Sequence, residues 1–494
     1  MAPAMAEQAV SHLLAASTRA VGLDPARSLT HARRALSLMA ADDPRRPHTL
    51  VRAGRAALAS ARFDEADDDL RAAVDLFALH DDEVGAADAT VMLARSRFER
   101  GDIEGGGPLL RQAIEVLEGH PPGPALAHAA SRMAGHLWVV GDLEACVTWS
   151  ERALTLASEM GLFSEQVLAM QYRGASRCKL GDEGGLDDLR EALRIGVEHG
   201  LGEETAVAYN NFAYELWYQR GAAASQPVWE EMAAFCDARG LATSYAWARA
   251  GSLEPLFDAG DWDRVLGTGA WLRAWDDEHG GETQPGSVGI QFQGWVTLRR
   301  GDHDTAASCA KELLDRAPQL GTAEYLAPAF LLAAEVAGAE GDQATMLLHL
   351  DAFMASTASQ PTFRTGFLPL AVRLLVRAGD RARAHEILDV DIEEGGSTKR
   401  LRLSFDTGRA SFEEAWGDPG HALELHTAVA AAWDSYGFPL ETALCRVGAA
   451  RCLVRLDRAI DAQAMLDAAR PTFEALGAIP YLDDLEAVER TVAG

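Results

Sequence analysis

The amino-acid sequence predicts an all-α fold built from about twelve consecutive helix-turn-helix units. A turn recurs at a regular interval along the 494 residues, and the segments between the turns carry apolar residues at helical spacing. No segment reads convincingly as a strand. Since a single helical hairpin cannot bury its own apolar stripe, neighbouring hairpins must stack. We therefore expect one continuous α-solenoid over residues 1–494.

The recurring turn is most often a Gly-Asp dipeptide, and successive turns lie 38 to 41 residues apart. Glycine adopts the left-handed conformation that ends a helix, and aspartate then caps the next helix through its free N–H groups. The dipeptide thus predicts a short connection between two antiparallel helices. The turns are Gly101-Asp102, Gly141-Asp142, Gly181-Asp182, Gly260-Asp261, Gly301-Asp302, Gly341-Asp342, Gly379-Asp380 and Gly417-Asp418, and the series is completed by Gly22, Ala61, Gly221 and Leu456-Asp457.

The segments beside each turn have the pattern of amphipathic helices. Residues 103–118, for example, place Leu110, Ile114 and Leu117 on one stripe. A bulky apolar residue often stands three positions before the turn, and a small residue often stands seven positions before it. Large side chains opposite small ones allow stacked helices to interlock. Two longer Gly- and Glu-containing segments, residues 276–289 and 389–400, are predicted as loops and possible hinges.

The composition limits the classes of partner. The chain carries 45 basic and 74 acidic residues, a net charge of −29, which disfavours direct binding to nucleic acid or to an anionic membrane. The same charge would also keep an elongated protein in solution. Six cysteines without a CxxC pair predict buried free thiols. With no leader-like apolar segment and no run of 18 apolar residues, we expect a cytoplasmic protein.

Searches for reactive motifs predict no enzyme, no metal site and no cofactor. Residues 395–399 contain the ingredients of a phosphate-binding loop in the wrong order, and no paired histidines have the spacing of a zinc hydrolase. The acidic segment 389–394 lacks the glycine and the final glutamate of a calcium loop. A solvated loop explains both segments better.

The small residue, the later aromatic residue, the Gly-Asp turn and the following alanines together resemble a tetratricopeptide repeat with longer helices. The last repeat, with Trp433, residues 437–441 and residues 473–478, is similar to the C-terminal superhelix of large signal-transduction ATPases. These are the regulators of the maltose-regulon activator type and the actinobacterial cyclase–ATPase fusions. The resemblance implies a right-handed superhelix with a concave groove. It also implies that the chain is a fragment or a split-off subunit of such a regulator, or a protein of its own.

The helix predicted over residues 203–219 holds both asparagines of the chain and several aromatic residues. Amide groups can bind a peptide backbone, and aromatic rings can stack on a small ligand. The alternative is that the aromatic residues pack between repeats and the asparagines face water. The residues expected to bind a ligand or partner are Arg132, Gln171, Arg173, Asn210, Asn211, Tyr214, Trp217, Arg249 and Gln291.

Two hypotheses of function follow. The first is a non-enzymatic scaffold of bacterial signalling that binds a protein or peptide partner in its groove. The second is a sensor superhelix that binds a small-molecule effector for an ATPase or a transcriptional regulator. A groove open along several repeats favours the scaffold, whereas one deep pocket favours the sensor.

Overall fold

A computed structural model describes residues 3–20, 24–58, 60, 62–99, 103–279, 281, 283–320, 323–358, 361–390 and 398–493. Every regular element in these ranges is a helix, and consecutive helices within residues 3–198 and within residues 253–493 pack against one another as hairpins. The predicted all-α class is therefore confirmed. The helix predicted over residues 103–118 has those bounds.

The helices form two compact units, which consist of residues 1–212 with 235–242 and of residues 213–234 with 243–494. The helices of unit 1 are α1 (Pro3–Ala20), α2 (Pro25–Leu38), α3 (Arg46–Leu58), α4 (Phe63–Leu79), α5 (Glu83–Glu99), α6 (Ile103–Glu118), α7 (Pro124–Val140), α8 (Leu143–Met160), α9 (Phe163–Lys179) and α10 (Gly185–Glu198). The division between the units falls within α11 (Glu203–Arg220) and α12 (Ala222–Arg239).

Unit 2 continues with shorter and longer helices in the same hairpin order. These are α13 (Ala242–Gly251), α14 (Leu253–Asp258), α15 (Trp262–Glu278), α16 (Gln284–Arg299), α17 (His303–Leu320), α18 (Ala323–Ala339), α19 (Gln343–Ser356), α20 (Pro361–Ala378), α21 (Arg381–Leu388), α22 (Lys399–Trp416), α23 (Pro419–Tyr436), α24 (Pro439–Arg455), α25 (Ala459–Leu476) and α26 (Ile479–Ala493). A single residue, Ser252, separates α13 from α14.

The turns within hairpins have the geometry that the Gly-Asp pattern predicts. Left-handed glycines with φ between 70° and 88° stand at positions 141, 181, 221, 260, 301, 341 and 379. The carboxylates of Asp142 and Asp342 each accept a hydrogen bond from the backbone N–H three residues later. Gly417 differs, since its backbone is extended (φ −107°, ψ −155°). The predicted turn residues Gly22, Ala61, Gly101 and Asp102 lie outside the described residues.

A second set of left-handed glycines joins one hairpin to the next. They stand at positions 161, 200, 240, 281, 437 and 477, about halfway between the turns of the first set. Most of them precede an apolar residue instead of an aspartate, so the dipeptide pattern did not reveal them. Glycine thus ends helices at both kinds of connection.

Hydrogen bonds between successive repeats join residues about 40 positions apart, which is also the spacing of the turns. The Asn211 side-chain amide donates to Gln171 Oε1 over 3.3 Å across 40 residues, and Trp217 Nε1 donates to Asp258 Oδ2 over 2.8 Å across 41 residues. Arg316 likewise donates to Asp276 over 2.7 Å across 40 residues. Equivalent positions of neighbouring hairpins are therefore in direct contact, as stacking requires.

The segment 276–289 is more ordered than the sequence suggested. Helix α15 continues to Glu278 and α16 begins at Gln284, so most of the predicted loop is helical. Asp276 accepts hydrogen bonds from the Thr283 backbone N–H at 2.7 Å and from the Thr283 hydroxyl at 2.5 Å. In the second predicted loop, α22 begins at Lys399, and residues 391–397 lie outside the described part of the chain.

Early and late hairpins of unit 2 are in contact. The Tyr436 hydroxyl donates a hydrogen bond to the Trp217 carbonyl, 219 residues earlier in the chain. The Arg300 Nε likewise donates to the Leu476 carbonyl, 176 residues later in the chain, over 3.2 Å. Left-handed turns Gly221 and Gly260 thus lie against the segments that end at Tyr436 and Leu476. Unit 2 therefore surrounds an interior instead of presenting an open face along its full length.

All six cysteines are buried free thiols, which confirms that prediction. In the described residues, no helix combines the length and the hydropathy required to span a membrane.

Candidate functional site

The interior of unit 2 contains a partly enclosed cavity of about 200 Å³. For comparison, a cavity of about 150 Å³ holds a benzene molecule, so the space suits a small ligand. Nearly all lining residues come from the first helix of a hairpin, namely α11, α13, α14, α16, α18, α20, α22 and α24.

The walls of this cavity are predominantly aromatic. Phe257 lies at their centre, with ring centroids 5.5 Å from Phe292, 6.1 Å from Trp295 and 6.4 Å from Phe438. Phe257 stands three residues before the turn at Gly260, which is the position where bulky residues recur in the sequence. The aromatic lining residues are Tyr214, Trp217, Tyr218, Trp247, Phe257, Phe292, Trp295, Tyr325, Phe367, Trp433 and Phe438.

A buried ion pair joins distant parts of the chain at the cavity wall. Arg400 donates to both carboxylate oxygens of Asp258, at 2.6 and 3.3 Å, and Trp217 Nε1 donates to the same carboxylate. Burial raises the pKa of Asp258 to about 6, and Arg400 opposes that rise. Both groups are therefore charged at neutral pH.

Two further carboxylates, Glu254 and Glu324, border the cavity without an arginine or lysine within ion-pair distance among the described residues. Burial raises the pKa of Glu254 to about 8, although Arg400 acts in the opposite direction. Burial also raises the pKa of Glu324. The ionised forms of these carboxylates are destabilised, which makes them sensitive to a charged ligand.

The remaining charged groups at the wall are paired. Glu441 accepts two hydrogen bonds from Arg373, at 2.9 and 2.6 Å, and Arg299 lies 3.3 Å from the Glu335 carboxylate. Two buried donors, Trp295 Nε1 and Arg299 Nε, have no hydrogen-bond partner within the described ranges. Both residues line the cavity.

Three of the residues predicted to bind a ligand or partner line this cavity. They are Tyr214, Trp217 and Gln291. Tyr214 also packs edge-on against Trp229, with the ring centroids 5.0 Å apart. Part of the aromatic set on α11 therefore contributes to packing, as the alternative interpretation of this helix predicts. Arg249, also in unit 2, is outside the cavity lining. Its Nη2 donates to Thr268 Oγ1 over 3.4 Å, and its guanidinium lies 5.7 Å from the Trp271 ring.

The other predicted residues belong to unit 1. Asn211 bonds to Gln171, and the Asn210 side-chain amide donates to Asn211 Oδ1 over 3.2 Å. Arg173 donates two hydrogen bonds to Asp188, at 2.8 and 2.6 Å. Arg132 is half-buried and donates to His128 Nε2 over 3.4 Å. Burial lowers the pKa of Arg132, and the nearby Arg95 acts in the same direction.

Sequence reasoning missed the charged residues of the cavity, above all Glu254, Asp258 and Arg400. Glu254 and Asp258 lie in the short helix α14, and Arg400 is the last residue of the segment predicted as a loop. Nothing local pairs two residues 142 positions apart. The 40-residue spacing of the repeats could have indicated Asp258, because it places this residue one repeat after Trp217. In the described residues, no group of three or more histidine, cysteine, aspartate or glutamate side chains has an arrangement suited to a metal ion.

No family model and no curated protein matches the chain. Among solved structures, it is similar to a signal transduction ATPase with numerous domains from Pyrococcus horikoshii that carries a tetratricopeptide repeat sensor. The identity is 15%, the TM-score is 0.45, and the match covers 60% of this chain but only 45% of the ATPase.

Two further solved structures share low identity with the chain. A Rap protein complexed with competence and sporulation factor matches with 13% identity and a TM-score of 0.48, over 71% of this chain and 98% of that one. A chain of the Cut9–Hcn1 hetero-tetramer of APC/C matches with 10% identity and a TM-score of 0.45, over 98% and 92%. The helical hairpins themselves, not these alignments, establish the all-α repeat fold.

Proposed function

We propose that this protein is a small-molecule sensor whose ligand binds in the cavity of unit 2. The observation that carries the proposal is the aromatic cavity of about 200 Å³, lined by helices from every part of that unit. Pockets of small-molecule sites are concave and mainly apolar, with a few convergent polar groups that orient the ligand. A partner-binding scaffold needs no such space.

The location of the cavity suggests how binding would be transmitted. The wall includes Trp217 near the start of unit 2 and Phe438 near its end, and the Tyr436–Trp217 hydrogen bond joins the same two regions. A ligand that contacts both regions stabilises the arrangement in which they touch. The tighter the ligand binds to this closed arrangement, the greater the stabilisation. Closure of unit 2 is therefore the proposed output of ligand binding, to be read by a regulatory domain or partner.

Substitutions at Gly366 test this proposal. Gly366 lines the cavity, and the nearest atom to an added Cβ would be Leu401 Cδ2 at 3.8 Å. Gly366→Met should fill ligand space without displacing the backbone, whereas Gly366→Ala adds only a methyl group and serves as the matched control. In a thermal-shift screen of soluble metabolites, we expect at least one compound to raise the Tm of wild type and Gly366→Ala by several degrees. The same compound should leave the Tm of Gly366→Met nearly unchanged.

The screen has two contrary outcomes. Absence of any stabilising compound would argue against a sensor. Equal stabilisation of Gly366→Met and Gly366→Ala would show that the ligand binds elsewhere.

A second candidate function is the binding of a protein or peptide partner by unit 1. The observation in its favour is the pair of half-buried amides Asn210 and Asn211, together with Arg132, which has no carboxylate within ion-pair distance in the described part of the chain. Amides bind peptide backbone groups, and an arginine can donate hydrogen bonds to a carboxylate of the partner. Affinity capture with Asn210→Ala/Asn211→Ala tests this idea, because retention of the same partners by the variant would contradict it.

A further inference from the structure

We propose that the ligand of the unit 2 cavity is an organic cation, namely an ammonium group carried on an apolar body. This inference rests on the proposed sensor function and specifies the chemistry of its ligand. Three features of the cavity support it: the aromatic walls, the balance of charges and the unpartnered donors.

The walls already surround a cation. The Arg400 guanidinium lies 4.3 Å from the centroid of the Trp217 ring, 5.4 Å from that of Phe438 and 5.7 Å from that of Trp433. All three rings also line the cavity. A positive charge within about 6 Å of an aromatic face is attracted by the ring quadrupole, and the attraction grows when water is excluded. Other rings of the same wall, such as Trp247, Phe292 and Phe367, can stabilise a second cation inside the cavity in the same way.

The ion pairs of the lining leave two carboxyl groups without a counter-ion. Arg400 is engaged by Asp258, the carboxylate of Glu441 by Arg373, and Arg299 by Glu335. Glu254 and Glu324 then remain without a cationic partner at ion-pair distance among the residues described. Burial raises the pKa of Glu254 to about 8, so this carboxyl is largely protonated at neutral pH. An ammonium group beside it would lower that pKa and form an ion pair as the proton leaves, a gain that a neutral ligand cannot provide.

The two unpartnered donors define a second part of the ligand. Trp295 is 6% exposed and Arg299 is 8% exposed, and Trp295 Nε1 and Arg299 Nε lack an acceptor within the described ranges. They would bind an acceptor such as a hydroxyl or carbonyl oxygen. A ligand with a net negative charge is disfavoured, because it would also meet Glu254, Glu324 and the negative potential of the chain.

A matched series of three probes tests the sign of the ligand charge. Phenethylammonium, 2-phenylethanol and 3-phenylpropionate share one aromatic body and differ in the charged or polar end. Calorimetric titration of the full chain should give the order ammonium, then alcohol, then carboxylate. We expect the alcohol to bind about tenfold more weakly than the ammonium compound. Tighter binding of the carboxylate or the alcohol would overturn the inference while leaving the sensor function intact, provided that Gly366→Met blocks it.

Substitution of the central carboxylate provides the second arm. Glu254→Gln keeps the size of the side chain and removes its charge, and it should weaken phenethylammonium binding about tenfold without weakening 2-phenylethanol. Glu424→Gln is the matched control, since that side chain is 83% exposed and lies outside the cavity lining. Equal affinity of wild type and Glu254→Gln for the ammonium probe would contradict the inference. Failure of all three probes to bind, while a compound from the thermal-shift screen still binds in a manner that Gly366→Met blocks, would contradict the inference and leave the sensor function intact.

Discussion

At the scale of single residues, Glu254 is the group whose ionisation is most affected by the cavity. Its pKa is raised from 4.5 to about 8, mainly by burial. Between these two values the folded protein holds a proton that the unfolded chain has released. The contribution of Glu254 to stability is therefore fully present below pH 4.5 and is lost as the pH rises through about 8.

This titration predicts a difference between wild type and Glu254→Gln in the pH dependence of unfolding. From pH 5 to pH 8, the free energy of unfolding of wild type should fall relative to that of the variant, by a few kcal/mol at most, since one pKa unit corresponds to about 1.4 kcal/mol. Urea unfolding at a series of pH values measures both proteins under identical conditions. Parallel curves for the two proteins would show that Glu254 titrates normally in the folded state.

The residues of the cavity also show what local sequence can and cannot reveal. Tyr214 and Trp217 were foreseeable, because a cluster of aromatic residues on one helix is visible in the sequence itself. Asp258 and Arg400 were not, since their pairing depends on two regions 142 residues apart that meet only after unit 2 has closed. Sequence reasoning therefore identified one wall of the candidate site but not its charges.

At the scale of elements, the left-handed glycine turns are the most predictable feature of the chain. Backbone conformation at a turn depends on the two or three residues in it, so the Gly-Asp dipeptide predicts the left-handed turn at most of its positions, with Gly417 as an exception. The turns between hairpins escaped notice because their only local mark is the glycine. The contact between turns in unit 2 was not predictable from either set, since it depends on the accumulated rotation of many stacked hairpins.

The turns at Gly221 and Gly341 allow the stability cost of disturbing the contact between turns to be separated from the cost of backbone strain. Gly221 (φ 88°) and Gly341 (φ 81°) have the same left-handed conformation, but a Cβ at Gly221 would lie 2.1 Å from the Tyr436 carbonyl oxygen, whereas a Cβ at Gly341 would have no atom within 4 Å. Gly341→Ala should cost about 1–2 kcal/mol from strain alone. Gly221→Ala should cost at least about 2 kcal/mol more, because Tyr436 must move. Chemical unfolding measures both, and equal losses would mean that the Gly221–Tyr436 contact is absent in solution.

At the scale of the whole molecule, the net charge of −29 acts on stability and on ligand binding in opposite directions. Like charges repel one another in the folded chain, and dissolved salt screens that repulsion. The same negative potential attracts a cationic ligand towards the cavity, and salt screens that attraction too. A rise in NaCl from about 20 mM to about 300 mM should therefore raise the Tm of the free protein and weaken its binding of phenethylammonium. Thermal unfolding and calorimetry, performed on the same samples, check the two effects.

A neutral probe such as 2-phenylethanol separates the two effects of salt, because its affinity should change little with salt. If salt weakened the binding of the alcohol and the ammonium compound equally, screening of the protein's field could not be the cause, and the attraction of the cavity for positive charge would lose its support.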